Sequence, residues 1–331
     1  MAGLDEFALI DRLFLPLAAA APESLRLTDD VALIEAGEGR QWAITTDAIV
    51  AGVHFFADDP ADLIARKLIR VNLSDLAAKG AEPRFLLLAA CFPADVTSAW
   101  LDRFGDGLRS DCAEYGVALI GGDTVATPGP LTLSLTALGL VARNTALLRS
   151  NARSGDTVWV SGFLGDAALG LLVARGGATG LTPAHAEYLL NRYRLPQPRL
   201  ALGRRLHGVA HAAMDISDGL LGDLDHICQA SGLAAIVEAA SLPRSAAAEA
   251  AIAAGLADIS AIAGGGDDYE LLFTAPSSAD AALRQMSAEL GLELTRIGRM
   301  LSGSGVTMVD ADGREITPAV RGYRHFSGAP S

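Results

Sequence analysis

Strand-like and helix-like hydrophobic patterns alternate along the whole chain, and the alternation runs through two cycles. A chain patterned in this way must stack helices on sheets. The first cycle predicts a strand over 42–46 ending in Asp47, a helix over 62–78, a strand over 85–92 and a helix over 99–115. A strand over 117–120 then runs into Gly121-Gly122-Asp123, and a strand over 131–141 closes the cycle. After the turn Arg153-Ser154-Gly155-Asp156 come a strand over 157–161, a glycine-containing loop and a helix over 166–174. Further on, 220–230 reads as helix, and 235–239 and 270–274 read as strands. The fold class is therefore α/β (α+β), in two halves meeting near residues 142–155. With 331 residues and 50% apolar content, each half can bury a core.

Six acidic motifs punctuate this pattern, nearly all where a strand or helix pattern breaks. They are Asp29-Asp30, Thr45-Thr46-Asp47, Asn72-Leu73-Ser74-Asp75, Gly121-Gly122-Asp123, Asp215-Ile216-Ser217-Asp218 and Gly265-Gly266-Asp267-Asp268. A carboxylate at the end of a strand, flanked by Gly, Ser or Thr, is badly placed for a core. It is well placed to hold a hard cation, whose ligands are oxygens. Several such motifs imply more than one ion.

Net charge narrows the partners. A formal charge of −13 argues against nucleic acid or an anionic membrane surface, since both demand clustered Lys and Arg. An acidic protein that handles an anionic substrate needs cations as intermediaries. Only two lysines occur, Lys67 and Lys79. The three cysteines, Cys91, Cys112 and Cys228, form no C-x-x-C pair, and their odd number fits a reducing cytosol, where they are expected as buried, inert thiols. The apolar stretch 13–21 follows Asp5, Glu6 and Asp11, where a signal peptide carries positive charge, and Pro16 interrupts it. It reads as an amphipathic helix ending before Pro22. No apolar run approaches the roughly 20 residues that a membrane span requires, so a soluble, cytoplasmic protein is expected.

Single motifs admit bland readings as well as functional ones. On the helix over 62–78, Ile64, Leu68 and Val71 share one face and Asp75 continues that stripe, which turns its carboxylate inward. A structural pairing with Lys79, four residues on, is the bland alternative. Gly121-Gly122-Asp123-Thr124 reads either as a tight turn or as a backbone that brings amides to a phosphate. The segment Ser161-Gly162-Phe163-Leu164-Gly165-Asp166 resembles a phosphate loop but lacks its Lys and Ser/Thr, and neither a P-loop nor a G-x-G-x-x-G pattern occurs. Ser217 or Asp218 can act as an N-cap before an apolar helix. His54, after a Gly-Val pair, can be structural, and Tyr323 can pack back on the fold.

Taken together and in order, the motifs carry more than any one of them. Asp29-Asp30, Thr45-Thr46-Asp47, Gly52-Val53-His54-Phe55, Asn72 to Ala78, Leu119 to Thr124, Arg149-Ser150, Asp215 to Gly219, Gly265 to Leu271 and Gly322-Tyr323-Arg324-His325-Phe326 form a series. That series resembles the thiamine-monophosphate kinase family, within the superfamily that includes aminoimidazole ribonucleotide synthetase. The resemblance implies a two-domain fold with domains at 1–145 and 146–331, and a homodimer whose N-terminal domains pair. It implies ATP-dependent phosphorylation of thiamine monophosphate to thiamine diphosphate with several Mg²⁺ ions. By position, Asp30, Thr45, Thr46, Asp47, Asp75, Asp123, Asp215 and Asp218 match the family's metal ligands. Gly122, Asp123, Arg149 and Ser217 match its nucleotide contacts, and His54, Asp267 and Tyr323 match positions around thiamine. Thr28 stands where the family usually has Gly, and Val125 where a second Thr is common; both departures bear on local backbone geometry.

Other readings are another ATP-using enzyme of the superfamily, or a non-catalytic module binding divalent cations or nucleotides. A selenophosphate synthetase would need a reactive Cys or selenocysteine and a Lys near the N-terminus, and none of the first 66 residues is either. A hydrogenase-maturation homologue would end in a Cys-bearing tail, whereas this chain ends Gly328-Ala329-Pro330-Ser331.

Overall fold

The computed structural model describes residue 8, residues 10–318 and residues 320–323. Asp5, Glu6, Arg324, His325, Phe326 and Gly328 to Ser331, named above, lie outside the described residues. The N-terminal half consists of β1 (Ala32–Gly37), β2 (Arg40–Val50), α1 (Ala61–Ala78), β3 (Glu82–Pro93), α2 (Ser98–Tyr115), β4 (Ala118–Thr127) and β5 (Thr132–Ala142). Its sheet runs β1-β2-β5-β3-β4, antiparallel except for the β3–β4 pair. Along β2 the side chains alternate in the way a half-covered sheet requires. Ala43, Thr45 and Ile49 are buried, while Thr46 is exposed. The uncovered side carries apolar residues, among them Ile34 and Leu87, and β4 at the edge adds Leu119, Ile120 and Val125.

The C-terminal half begins with β6 (Thr157–Ser161) and α3 (Asp166–Ala174), both at the positions expected from the sequence. It continues with α4 (Pro183–Arg194), α5 (Leu200–Arg205), β7 (Ala212–Asp215), α6 (Leu220–Ser231), β8 (Leu233–Glu238), α7 (Ala246–Ala253), α8 (Ile259–Gly264) and β9 (Leu271–Ala275). It ends with α9 (Asp280–Leu290), β10 (Leu294–Ser302), β11 (Gly305–Val309) and β12 (Glu315–Ile316). The sheet order is β12-β11-β8-β10-β6-β9-β7.

The helix α1 is packed between the two halves. Of its 18 residues, 14 are buried, including Lys67, Arg70, Asn72 and Ser74. One face packs on the N-terminal sheet through Ile64, Leu68 and Val71. Its last turn, Ala77 and Ala78, packs with Leu202, Trp159 and Phe273 of the C-terminal half. The polar residues are buried because a second layer covers the side that would otherwise meet water. Arg70 illustrates this, binding Asp111 of α2 at 2.6 Å and the Pro196 carbonyl oxygen at 3.1 Å.

Four sequence expectations need correction. Asp47 lies in the middle of β2 and not at a strand end, whereas Asp75 lies inside α1, as the helix expected over 62–78 implies. The strand β4 runs straight through Gly121-Gly122-Asp123-Thr124, so no turn forms there. Gly122 has φ +153°, and a Cβ at that position would sit 1.9 Å from the Leu88 carbonyl oxygen. Glycine is required by the approach of β3. Residues 13–21 form a π-helical turn (Ile10–Phe14) and a helical turn (Leu15–Ala18) in place of one amphipathic helix, with none of their residues buried. Pro16, without an amide hydrogen, fits only the first turn of a helix. All three cysteines are free, but Cys91 and Cys112 are only half-buried. No described helix is long and apolar enough to cross a membrane.

Candidate active site

Three elements from both halves bring carboxylates together. Asp75 on α1, Asp215 at the end of β7 and Asp30 before β1 each offer an oxygen, and these oxygens lie within 4.8 Å of one another. The strand β2 is held against α1 at this point: the Asp47 amide donates to Asn72 Oδ1 at 3.0 Å, and Thr45 Oγ1 donates to Asp75 Oδ2. Since Thr45 and Asp47 are two residues apart on a strand, both face α1. Arg149 ion-pairs with Asp30, and its amide donates to Asp29 Oδ2 at 2.9 Å. Lys79 is fully buried and its ammonium lies 2.7 Å from Asp29 and 2.5 Å from Asp30. The structural alternative of an Asp75–Lys79 pair is therefore not what forms.

The electrostatics follow from crowding acids out of water. Burial pushes the Asp47 carboxyl up to about 6, with the charges of Asp30 and Asp218 adding to it. Burial, then the charge of Asp30, takes Asp215 to about 7. Asp75 is raised well above the ordinary carboxylate value by burial and by Asp47, Asp215 and Asp30. Asp30 goes the other way: burial opposes its charge, but the guanidinium of Arg149 and the ammonium of Lys79 outweigh that and hold it ionised. A compact set of oxygen donors whose mutual repulsion makes them retain protons is one that a hard cation can relieve.

These residues line a cleft of about 530 Å³. Of the expected residues, it is bordered by Asp30, Thr45, Thr46, Asp47, His54, Asp75, Arg149, Asp215, Ser217, Asp218, Asp267 and Tyr323. Gly122 and Asp123 are not there; they sit exposed on the edge strand β4. Thr46 borders the cleft, but its hydroxyl donates to the Leu135 carbonyl oxygen at 3.2 Å and accepts from Thr136 on the uncovered face of the sheet. At His54 the Val50 amide donates to Nδ1 at 3.1 Å, which leaves Nε2 as the protonated nitrogen.

Two loops owe their shape to acids with no assigned role in the sequence reading: Asp223, and Asp268 of the Gly265-Gly266-Asp267-Asp268 motif. Asp223 Oδ2 accepts from the amides of Ser217, Asp218 and Gly219, so the cap of α6 comes from inside the helix; neither Ser217 nor Asp218 caps it. Asp268 accepts from the amides of Gly165 at 2.7 Å and Ala167 at 3.2 Å. In the phosphate-loop-like segment 161–166 the Gly165 amide is thus occupied by an internal carboxylate, pushed up to about 8 by burial, and the Gly162 and Leu164 amides go to backbone carbonyls. Tyr269 also borders the cleft, and its phenol is raised by burial and by the charges of Asp267, Asp47, Asp215 and Asp218. The signals were present in Gly265 to Glu270, but the expectation stopped at Asp267.

Comparison with known proteins gives the family. The AIR synthase related protein family matches twice, its N-terminal domain over residues 28–141 and its C-terminal domain over 153–311. The thiamine-monophosphate kinase of Caulobacter vibrioides is 41% identical over 323 residues, covering 97% of this chain and 90% of the relative. The chain belongs to the thiamine-monophosphate kinase family. The solved thiamine-monophosphate kinase of Stenotrophomonas maltophilia is 43% identical, with a TM-score of 0.76 over 95% of this chain and 98% of the other. AaThiL complexed with AMPPCP and TMP superposes with a TM-score of 0.84 at 31% identity, covering 97% of each chain. That family member accommodates an ATP analogue and the acceptor together, and the two-domain α/β fold is common to it and to this chain.

Proposed function

We propose that the cleft transfers the γ-phosphoryl group of ATP directly and in line to the phosphate of thiamine monophosphate, giving thiamine diphosphate as the last step of its biosynthesis. The observation that carries this reading is that acids from both halves and the three acceptor residues His54, Asp267 and Tyr323 border a single cleft. Both reacting groups carry nearly two negative charges at neutral pH. Mg²⁺ fits the donor set, which is all oxygen, buried and mutually repelling; Asp30, Asp47, Asp75, Asp215 and Asp218 would hold it, and when bound it screens that repulsion. Arg149 would steady the phosphate chain by the fork geometry of its guanidinium, with Asp30 holding it in place until then. His54, donating through Nε2, would orient the acceptor.

The uncovered face of the N-terminal sheet and the exposed edge β4 support a homodimer formed by N-terminal domains. An edge strand with Leu119, Ile120 and Val125 in water invites pairing with a second copy. Gly122 and Asp123 stand on that edge, so their roles toward nucleotide and metal belong to the paired form. The domain boundary is placed at 145–146, in the stretch between β5 and β6. Free cysteines fit a cytoplasmic location. The test is ATP consumption measured side by side with thiamine, thiamine monophosphate and aminoimidazole precursors. Turnover with thiamine monophosphate alone is expected, and turnover with any other acceptor would overturn the assignment.

A further inference from the structure

The chain has only two lysines, and neither reaches solvent: Lys67 is 2% exposed and Lys79 0%. An ammonium loses far more by leaving water than most groups, so each must be repaid by specific partners. The partners of Lys79 are Asp29, Asp30 and the carbonyl oxygens of Leu147 and Ala213, at the metal end of the site. Lys67 lies just over three helical turns earlier, on α1, about 18 Å away along the axis. Its Nζ donates to the His54 carbonyl oxygen at 2.9 Å and to Asp267 Oδ2 at 3.2 Å, and lies 4.0 Å from the centroid of the Tyr193 ring. The Tyr193 hydroxyl donates to the same His54 carbonyl at 3.2 Å.

We propose that Lys67 is the positioning residue of the acceptor end of the cleft, joining His54 of the N-terminal half to Asp267 of the C-terminal half through one buried ammonium. This rests on the reading of His54 and Asp267 as acceptor contacts, and adds a residue that does not itself border the cleft. The backbone at Asp267 needs such a restraint. It has φ +68°, and Tyr269 two residues on has φ +50°, in the left-handed region that side chains other than glycine enter at a cost. Such residues persist only where their surroundings over-determine them. Here the Asp267 amide donates to the Ser217 carbonyl oxygen at 2.8 Å and its carboxylate is tied to Lys67. His54 comes from the N-terminal half and Asp267 from the C-terminal half, so the spacing of this pair is set by whatever bridges them. Lys67, together with Tyr193 of α4, is that bridge, and the face of the Tyr193 ring supplies the remaining contact for the ammonium.

The test separates positioning from mere stability. In Lys67→Met, an apolar side chain of similar length, KM for thiamine monophosphate should rise by about tenfold or more, the loss expected for one charge-assisted hydrogen bond, while KM for ATP stays within about twofold. Asp267→Asn should act in the same direction, and the double variant should fall short of the product of the two effects because the pair is already broken. Tyr193→Phe, which removes only the second donor to His54, should show the same split more weakly; it decides the matter if Lys67→Met fails to fold. Equal changes in both KM values, or a lower Tm with both KM values unchanged, would overturn the proposal. If Asp267→Asn and His54→Asn also leave KM for thiamine monophosphate unchanged, the acceptor reading itself falls. If those two raise it and the Lys67 and Tyr193 variants do not, only the bridge does.

Discussion

Replacing Asp215 by Asn should move activity and the stability of the metal-free protein in opposite directions. The Asp215 side chain is almost completely buried, and its carboxyl stands at about 7 against an ordinary 3.8, a rise caused by burial and by the charges of Asp30 and Asp47. The folded state therefore holds this proton more tightly than the unfolded chain does. Its contribution to stability is fully present below about pH 4 and is lost as pH rises to about 7. The whole window is worth on the order of 4 kcal/mol, and the part between pH 5 and pH 8 about 3 kcal/mol, at roughly 1.4 kcal/mol for each pH unit. An amide in the same place cannot ionise and keeps that share. Urea denaturation in a chelator at pH 5 and pH 8 reads this directly: wild type should lose about 3 kcal/mol more than Asp215→Asn between the two. In millimolar Mg²⁺ the same variant should turn over at least ~100-fold more slowly, because a charged ligand is gone. Parallel loss of stability in both proteins, or near-normal turnover in the variant, would refute the reasoning.

The remaining expectations rest on the same geometry. Asp47→Asn and Asp75→Asn should each lower turnover by at least ~100-fold while the protein still folds, as steady-state kinetics and circular dichroism would show. Tyr323→Ala should raise KM for thiamine monophosphate and leave KM for ATP nearly unchanged, since a cationic thiazolium favours an aromatic face; equal effects would place this residue elsewhere. Mg²⁺ affinity, measured by calorimetry in buffers of different ionisation enthalpy, should rise from pH 5 to pH 8 with release of protons, because ions displace the protons held by Asp47 and Asp215. Ile120→Glu on the exposed edge of β4 should give a monomer in sedimentation, and an unchanged dimer would remove that strand from the interface.

The sequence made the acids legible and left their supports hidden, for a physical reason. Asp30, Asp75 and Asp215 could be singled out because a carboxylate that continues an apolar stripe, or ends a strand, conflicts with local patterning. Such conflict marks a site. Lys67 and Asp223 create no such conflict: Asp223 sits one turn into a helix, where acids are ordinary, and Lys67 lies on a helix that a local reading makes half-exposed. The role of Lys67 comes from a pairing 200 residues apart, with Asp267, which no local period encodes. The strand β4 was cut short for a related reason. Two glycines signal a turn locally, whereas here one of them admits the neighbouring strand β3. The helices 183–194 and 280–290 were passed over altogether, although both carry ordinary helical patterns.

The chemistry itself places few demands on acid–base groups, and the cleft reflects that. A phosphate monoester has its second pKa near ~6, so the attacking oxygen is already ionised at neutral pH and no side chain has to remove a proton from it. Among the described residues, the one histidine bordering the cleft is His54; its Nδ1 is occupied by the Val50 amide and it presents a donor through Nε2, which suits holding an anionic acceptor and not deprotonating one. The acids, raised toward neutrality where they crowd together, are poor bases while protonated and good cation ligands once ions displace those protons. What the protein must supply is therefore placement and screening. The fold supplies the first through α1, which carries Lys67 near the proposed acceptor end and Asp75 at the proposed metal end and runs into Lys79, so that a single helix sets the spacing between the two ends.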